Sequence, residues 1–264
     1  MKVIVCIPAR YGSTRFPGKV LAKDTGKFLL QHTYEQVRKA SLPDKIIIAA
    51  DDERIVAAAK SFGAQCILTS PAHNSGTDRI AEAVATALPQ ADRPTSPRAV
   101  ETEIVVNVQA DEPEIEPKNI DHLAELLIEN PDYPMGTLAA DFQTPEQVAD
   151  ANIVKVVVDC AGRALYFSRA PIPYDREKSG IGKIEQYLRH IGIYAYRKEF
   201  LLKFTNLPQT HLEKIEKLEQ LRAIENGFDI LVGKVDHAWA GIDTPEQYAE
   251  FVKRYNAVTT EGTP

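Results

Sequence analysis

Continuous runs of β-branched and small apolar residues alternate along the first hundred positions with segments of helical period. Val3 to Ile7 carries no polar interruption and predicts a strand buried on both faces. Residues 28–40 have helical period, and Lys45-Ile46-Ile47-Ile48-Ala49-Ala50 predicts a second strand. Asp51-Asp52 suits the N-cap of a helix running to about Ser61. Ala64 to Leu68 reads as a third strand, followed by a polar loop and an Ala-rich helix from Thr77 to Ala87. Ile104 to Val108 is a fourth buried run. Strand and helix in alternation predict an α/β fold with a mostly parallel sheet flanked by helices.

The later pattern is less regular. Met135 to Ala140, Val154 to Val158, Ala164 to Phe167 and His190 to Tyr196 read as strands joined by short turns, a smaller mixed or antiparallel section. Leu212 to Asn226 reads as one long charged helix ending at Gly227, which suits the left-handed position past a helix end. The expected organisation is a single α/β domain over 1–264, with a nucleotide-binding half at 1–133 and a sugar-binding and dimer section at 134–245. A closing helix at 246–256 and a flexible tail at 257–264 complete it. Pro89 to Glu103 reads as a solvated surface insertion.

Composition adds exclusions rather than a function. The chain carries 31 Lys+Arg against 37 Asp+Glu, a net charge of −6, which disfavours a general nucleic-acid binder. No uninterrupted apolar run is long enough for a membrane span. Cys6, Cys66 and Cys160 are too scattered for a disulfide framework or a zinc site. The first apolar run stops at Pro8 with no cleavage signal after it, so the expectation is a cytoplasmic protein.

The net charge conceals a local excess of cations. After the first strand comes Pro8-Ala9-Arg10-Tyr11-Gly12-Ser13-Thr14-Arg15-Phe16-Pro17-Gly18-Lys19, with three cations and no acid before Asp24. Loops at the C-terminal ends of parallel strands are where such sheets bind ligands, and this one suits a polyphosphate. It is not a Walker A loop, because five residues separate Gly12 from Gly18 and Val20 follows Lys19. The dinucleotide fingerprint G-x-G-x-x-G is absent as well. Asp111 follows the fourth strand directly, and Asp243 lies in a Gly-Ile-Asp-Thr-Pro turn. Two such acids suit Mg²⁺, which takes oxygen ligands and is shared with phosphates. Asp243 also reads as a helix N-cap, and Glu112 competes with Asp111 for the ligand role. Ser75 and Asp78 read as a capping box at a helix start whose free N–H groups suit a base edge or ribose. Arg169 and His190 interrupt apolar segments, where a polar group needs a reason.

These blocks together resemble the sugar-activating cytidylyltransferases, and within them the 3-deoxy-manno-octulosonate (Kdo) family. The basic loop, His73 to Arg79, Val106 to Pro113, Tyr166 to Pro173, Leu188 to Tyr194, Leu218 to Arg222 and Gly241 to Glu246 occur in the family's order, from Val3 to about Tyr255. The resemblance implies a Rossmann-like nucleotide-diphospho-sugar transferase fold and the reaction CTP + Kdo → CMP-Kdo + diphosphate, which activates the sugar for lipopolysaccharide synthesis. It implies Mg²⁺ on Asp111 and Asp243, and catalytic roles for these two with Lys19, Arg10 and Arg15. Ala9, Arg10, Gly12, Ser13, Arg15, Lys19, Ser75, Gly76 and Asp78 would bind the nucleotide. Gln109, Arg169, His190, Tyr194, Glu219 and Gln220 would bind the acidic eight-carbon sugar. A homodimer is the expected assembly, with neither nucleic acid nor membrane as partner. Alternatives are a cytidylyltransferase for 8-amino-Kdo or a sialic acid, and a non-catalytic nucleotide-binding protein on the same fold. Ala110 stands where the family usually carries Gly, Val20 replaces a common Pro, and Lys23 to Leu30 diverges.

Overall fold

A computed structural model describes residues 2–87 and 103–261. The expected insertion lies outside them apart from Glu103, as do the last three residues of the expected tail. In chain order the elements are β1 (Lys2–Ala9), α1 (Leu29–Val37), β2 (Lys45–Ala50), α2 (Glu53–Ser61), β3 (Cys66–Leu68) and α3 (Gly76–Ala87). Next come β4 (Glu103–Asn107), α4 (Pro117–Glu129), β5 (Met135–Asp141), α5 (Pro145–Ala149), β6 (Lys155–Val158), β7 (Ala164–Ser168) and β8 (Leu188–Arg197). The chain continues through α6 (Lys198–Phe204), α7 (His211–Glu216), α8 (Leu221–Glu225), β9 (Ile230–Val235) and α9 (Pro245–Glu261). It divides into two compact units, one of Ile4–Val100, Asn107–Lys118 and Trp239–Pro264, the other of Met1–Val3, Glu101–Val106 and Asn119–Ala238.

In the first unit β1 pairs parallel with β2, from Ile4 against Lys45 to Ala9 against Ala50, and β2 pairs parallel with β3. Val3 to Ala9 are buried without interruption, as a strand covered on both faces requires. The β2–α2 turn is set by Asp52, whose side chain accepts the Arg54 N–H. Leu29 from α1 packs with Ile242, Tyr248 and Phe251, with Phe16, Ala22, Val252 and Tyr255 against them. This cluster seats the start of α9 beneath the basic loop. The closing helix runs to Glu261, past the expected end at 256.

In the second unit β5 pairs antiparallel with β8 and parallel with β9, and the β6–β7 hairpin joins β8 antiparallel. The mixed section therefore exists, with an unanticipated strand, β9. Its apolar run Ile230-Leu231-Val232 contained the signal, but its parallel pairing with β5 is a long-range choice. Helices α4 and α6 were also unanticipated. The single helix expected over Leu212 to Asn226 is corrected to two short ones, α7 and α8. The chain turns at Lys217, whose φ is 54°, and Leu218 is buried. The turn brings Glu213 and Arg222 into a buried, two-point ion pair, with Nη2 to Oε1 at 2.5 Å and Nε to Oε2 at 2.9 Å. Residues nine apart on a continuous helix would lie about 13 Å apart along the axis on opposite faces, so the break is the condition for this pair. Gly227 does adopt a positive φ, 76°, after α8. Among the described residues no helix is long and apolar enough to cross a membrane.

Candidate active site

The basic loop leaves β1 at buried Ala9 and closes on itself through two bonds, Gly18 N–H to Tyr11 O at 3.2 Å and Phe16 N–H to Ser13 Oγ at 3.4 Å. Gly18 has φ 69°, a conformation in which a side chain is strained, and a Cβ there would meet the Tyr11 ring at 3.4 Å. The Tyr11 N–H donates to Asp51 Oδ1 at 2.9 Å, and the Tyr11 ring lies against Arg54. Arg10, Gly12 and Arg15 are exposed. Lys19 is turned inward instead, with 11% of its side chain exposed.

Its ammonium meets the two acids singled out in the sequence. Lys19 Nζ donates to Asp111 Oδ2 at 2.5 Å, to Ile242 O at 2.9 Å and to Asp243 Oδ1 at 3.0 Å. Arg15 Nη2 lies 2.9 Å from the other oxygen of Asp243. The backbone holds the two acids independently of their side chains: Ile242 N–H donates to Asp111 O at 2.8 Å, and Thr33 Oγ1 to Ala110 O at 3.1 Å. Ala110 is not among the non-glycine residues with positive φ, so its backbone does not require glycine. Asp111, not Glu112, faces the ammonium. Burial and the neighbouring Asp111 charge push the Glu112 carboxyl up to about 8. Among the described residues no group of three or more His, Cys, Asp or Glu is gathered. Two carboxylate oxygens and a carbonyl around one cation are nevertheless the hard-oxygen set that Mg²⁺ completes with phosphate and water.

The start of α3 lies at the same end of β1. A Cβ on Gly76 would meet Pro8 at 3.3 Å, so the helix approaches the strand closely there. Ser75 and Asp78 form the expected reciprocal cap, Asp78 N–H to Ser75 Oγ at 3.1 Å and Ser75 N–H to Asp78 Oδ2 at 3.2 Å. Asp thus serves where a capping box usually has Glu. Sequence reasoning passed over Arg79, which is 1% exposed. It donates to Thr69 Oγ1 at 2.7 Å and Ser70 O at 3.1 Å, and lies 3.6 Å from Asp51 Oδ2, so it steadies the acid that holds the basic loop. An arginine on the apolar face of an Ala-rich helix was the available signal. Gln109 stays in this unit and donates to Asn107 Oδ1 at 3.2 Å.

The remaining sugar candidates lie in the other unit, on β8 and around α7 and α8. The His190 ring stands edge-on to Phe167 at 5.0 Å and 5.4 Å from Tyr194. Thr137 Oγ1 donates to Ile193 O at 2.7 Å, so its lone pair takes the proton of His190 Nε2 at 2.9 Å. That fixes the neutral tautomer with Nδ1 as the acceptor. Burial pulls the His190 pKa down to about 3. Burial and the charge of Glu219 together push Tyr194 well up, so its hydroxyl remains protonated. Gln220 is 3% exposed, and its Nε2 has no acceptor among the described residues. Arg169 is partly committed to the chain itself, with Nε to Glu216 O at 2.7 Å and Nη1 to Ala151 O at 3.0 Å. Glu216 in turn takes the Ser168 hydroxyl and the Arg169 N–H. Neither Thr137 nor Glu216 was singled out, because a threonine in a strand and an acid on a charged helix are ordinary in sequence.

His190 makes stability depend on pH. The unfolded chain protonates a histidine near 6.5 and the folded one near 3, so between these values the unfolded state binds more protons and stability falls as pH falls. Urea unfolding of His190→Gln is expected to show a shallower loss from pH 6.5 to pH 4.5 than the parent. Parallel curves would place the acid sensitivity elsewhere.

A family model described as cytidylyltransferase matches residues 4–230. A 3-deoxy-manno-octulosonate cytidylyltransferase of Solibacter usitatus is 45% identical over 261 residues, 99% of this chain and 97% of that protein. The chain belongs to the 3-deoxy-manno-octulosonate cytidylyltransferase family. A second member, from Thermodesulfovibrio yellowstonii, is 48% identical over 248 residues, covering 93% of this chain and 95% of the relative. A solved structure of CMP:2-keto-3-deoxy-manno-octonic acid synthetase complexed with CTP superposes with a TM-score of 0.84 at 37% identity, over 99% of this chain and 100% of that one. A cytidylyltransferase from Leptospira borgpetersenii, 17% identical with a TM-score of 0.60 over 99% of this chain and 94% of that one, shares the fold. The chain thus has the Rossmann-like nucleotidyltransferase fold and is an enzyme of this family.

Proposed function

We propose that the protein transfers CMP from CTP to 3-deoxy-D-manno-octulosonate, releasing diphosphate. The observation that carries this reading is the cluster of Lys19, Arg15, Asp111 and Asp243, assembled from three distant parts of a cytidylyltransferase chain. Two negatively charged reactants must meet, so the chief demand is charge neutralisation and alignment. Arg10 and Arg15, exposed on the loop, attract and orient the triphosphate. Lys19 stabilises the charge that develops on the leaving diphosphate. Ser75 and Asp78, each capping the other's N–H, fix the α3 start against the nucleoside, with Gly76 beside Ala9, Gly12 and Ser13. Asp111 and Asp243 would hold Mg²⁺, and bound there it would withdraw charge from the α-phosphate and acidify the attacking sugar hydroxyl.

On the sugar side, the buried Gln220 amide lacks an acceptor that a carboxylate or hydroxyl oxygen would supply. His190 Nδ1 accepts a sugar hydroxyl, and Tyr194, Arg169 and Glu219 complete the polar set of that unit; Gln109 is the sugar candidate of the other unit. We extend the reading to a cytoplasmic homodimer joined through the β6–β7 face, where Leu165 is exposed. Sedimentation velocity reads that state directly. The deciding assay is diphosphate release with CTP, Mg²⁺ and a panel of Kdo, 8-amino-Kdo and sialic acid. Kdo is expected to give the highest kcat/KM. Turnover confined to another sugar would reassign the substrate, and none with any sugar would leave a nucleotide-binding protein.

A further inference from the structure

An ammonium group has three N–H donors, and all three on Lys19 are in use: on Asp111 Oδ2, Ile242 O and Asp243 Oδ1, each within 3.0 Å. The side chain that carries it is nearly buried, which makes an alternative position in water costly to reach while the acids are near. Arg15 covers the second oxygen of Asp243. Both acids are therefore neutralised by the protein's own cations. The reaction proposed above asks for something different: Asp111 and Asp243 toward a divalent cation, and Lys19 toward phosphate. The three-way contact satisfies neither demand. Lys19 has no donor left for a phosphate oxygen, and the acids' facing oxygens are already occupied.

We infer that Lys19 is an internal counter-ion of Asp111 and Asp243 that a divalent cation displaces, and that this exchange is what releases its ammonium to the triphosphate. The inference rests on the reading of the two acids as metal ligands. Before loading, Lys19 keeps two like charges from repelling each other at one spot. On loading, Lys19 gives up its acceptors and needs new ones, which the phosphates provide. The site is thereby biased against holding a bare metal ion and toward holding metal and nucleotide together, because either without the other leaves charges uncompensated.

The exchange is tested without turnover, by titrating Mn²⁺ into the full-length protein in the absence of nucleotide and following water-proton relaxation. Lys19→Met keeps the apolar stem and removes the competing charge. It is expected to bind one Mn²⁺ at least about tenfold more tightly than the parent, and Lys19→Met/Asp111→Asn is expected to lose that gain. In EDTA, Lys19→Met is expected to melt below the parent, and Mn²⁺ is expected to raise its Tm by more than it raises the parent's. Lys19→Gln, which retains a donor for Ile242 O, gives the same comparison if the Met variant does not fold. Mn²⁺ binding to the Lys19 variants no tighter than to the parent would overturn the exchange, as would a gain that survives removal of Asp111. This outcome is distinct from failure of the proposed function. A parent that releases diphosphate from CTP and Kdo while its Lys19 variants gain no Mn²⁺ affinity loses only the exchange. Tight Mn²⁺ binding by the variants, with no diphosphate release by the parent, leaves the exchange and removes the activity.

Discussion

Asp111→Ala is expected to lower kcat by about a hundred- to a thousandfold at saturating CTP and sugar, with the fold intact. Loss of a single preorganised electrostatic group at a reacting centre costs that much, and here the lost carboxylate is also the partner that holds the Lys19 ammonium in place. The loop does not depend on the side chain. Asp111 O still takes the Ile242 N–H, and Ala110 O still takes the Thr33 hydroxyl, so the Tm should stay close to the parent's. Asp243→Ala is expected to fall in the same direction. Steady-state diphosphate release together with thermal melting separates the two effects. A folded Asp111→Ala with near-parental kcat would remove the acid from the mechanism, and with it the reading of the cluster as the reacting centre.

The second large effect is on stability and lies away from the nucleotide loop. Glu213 and Arg222 keep 6% and 7% of their side chains exposed, and Arg222 also lies over the Phe204 ring at 4.9 Å. Glu213→Gln removes the charge of the two-point partner and leaves the buried guanidinium only the more distant Glu219 Oε1 at 3.5 Å; breaking a buried pair in comparable sites costs about 3–5 kcal/mol. Against a total stability of about 5–15 kcal/mol, that is a large fraction. Urea unfolding is expected to show a markedly lower midpoint for Glu213→Gln. Glu213→Met/Arg222→Met, which removes both charges and fills the volume, should recover much of the loss. Because Glu219 and Gln220 sit in the turn that this pair closes, the surviving folded Glu213→Gln is also expected to show a raised KM for the sugar with a smaller change for CTP. A single variant within about 1 kcal/mol of the parent would show that the turn is held by packing of Leu218 and Leu221 instead.

This pair also marks where sequence reading stops. Residues 212–226 carry helical period, and nothing local forbids a single helix; the break at Lys217 is repaid by a contact nine positions apart that exists only once the chain has turned. The parallel strand β9 was missed for a related reason, since its partner β5 lies about ninety residues away and short apolar runs do not declare their neighbours. Features set within a few residues were legible. Asp52 caps α2 and Ser75 with Asp78 caps α3, because a cap is satisfied by side chains and N–H groups two or three positions apart. Val3 to Ala9 is buried on both faces because an uninterrupted apolar run has no polar side to expose.

At the candidate site the division is similar. The residue types were readable: cations in a loop after the first strand, acids after the fourth strand and before the last helix, polar groups in otherwise apolar strands. Their partners were not. Lys19 lies on two acids, 92 and 224 positions away in the chain. The packing of Leu29, Ile242, Tyr248 and Phe251 brings the second of them there. The sequence by itself determined the family and the features set within a few residues, the doubly buried first strand and the caps of α2 and α3, because motifs, caps and periodicity act over short stretches of chain. Tertiary structure alone decided which charges neutralise which, because electrostatic and hydrogen-bond energies depend on distances of a few ångströms in space, and separation along the chain does not fix those distances.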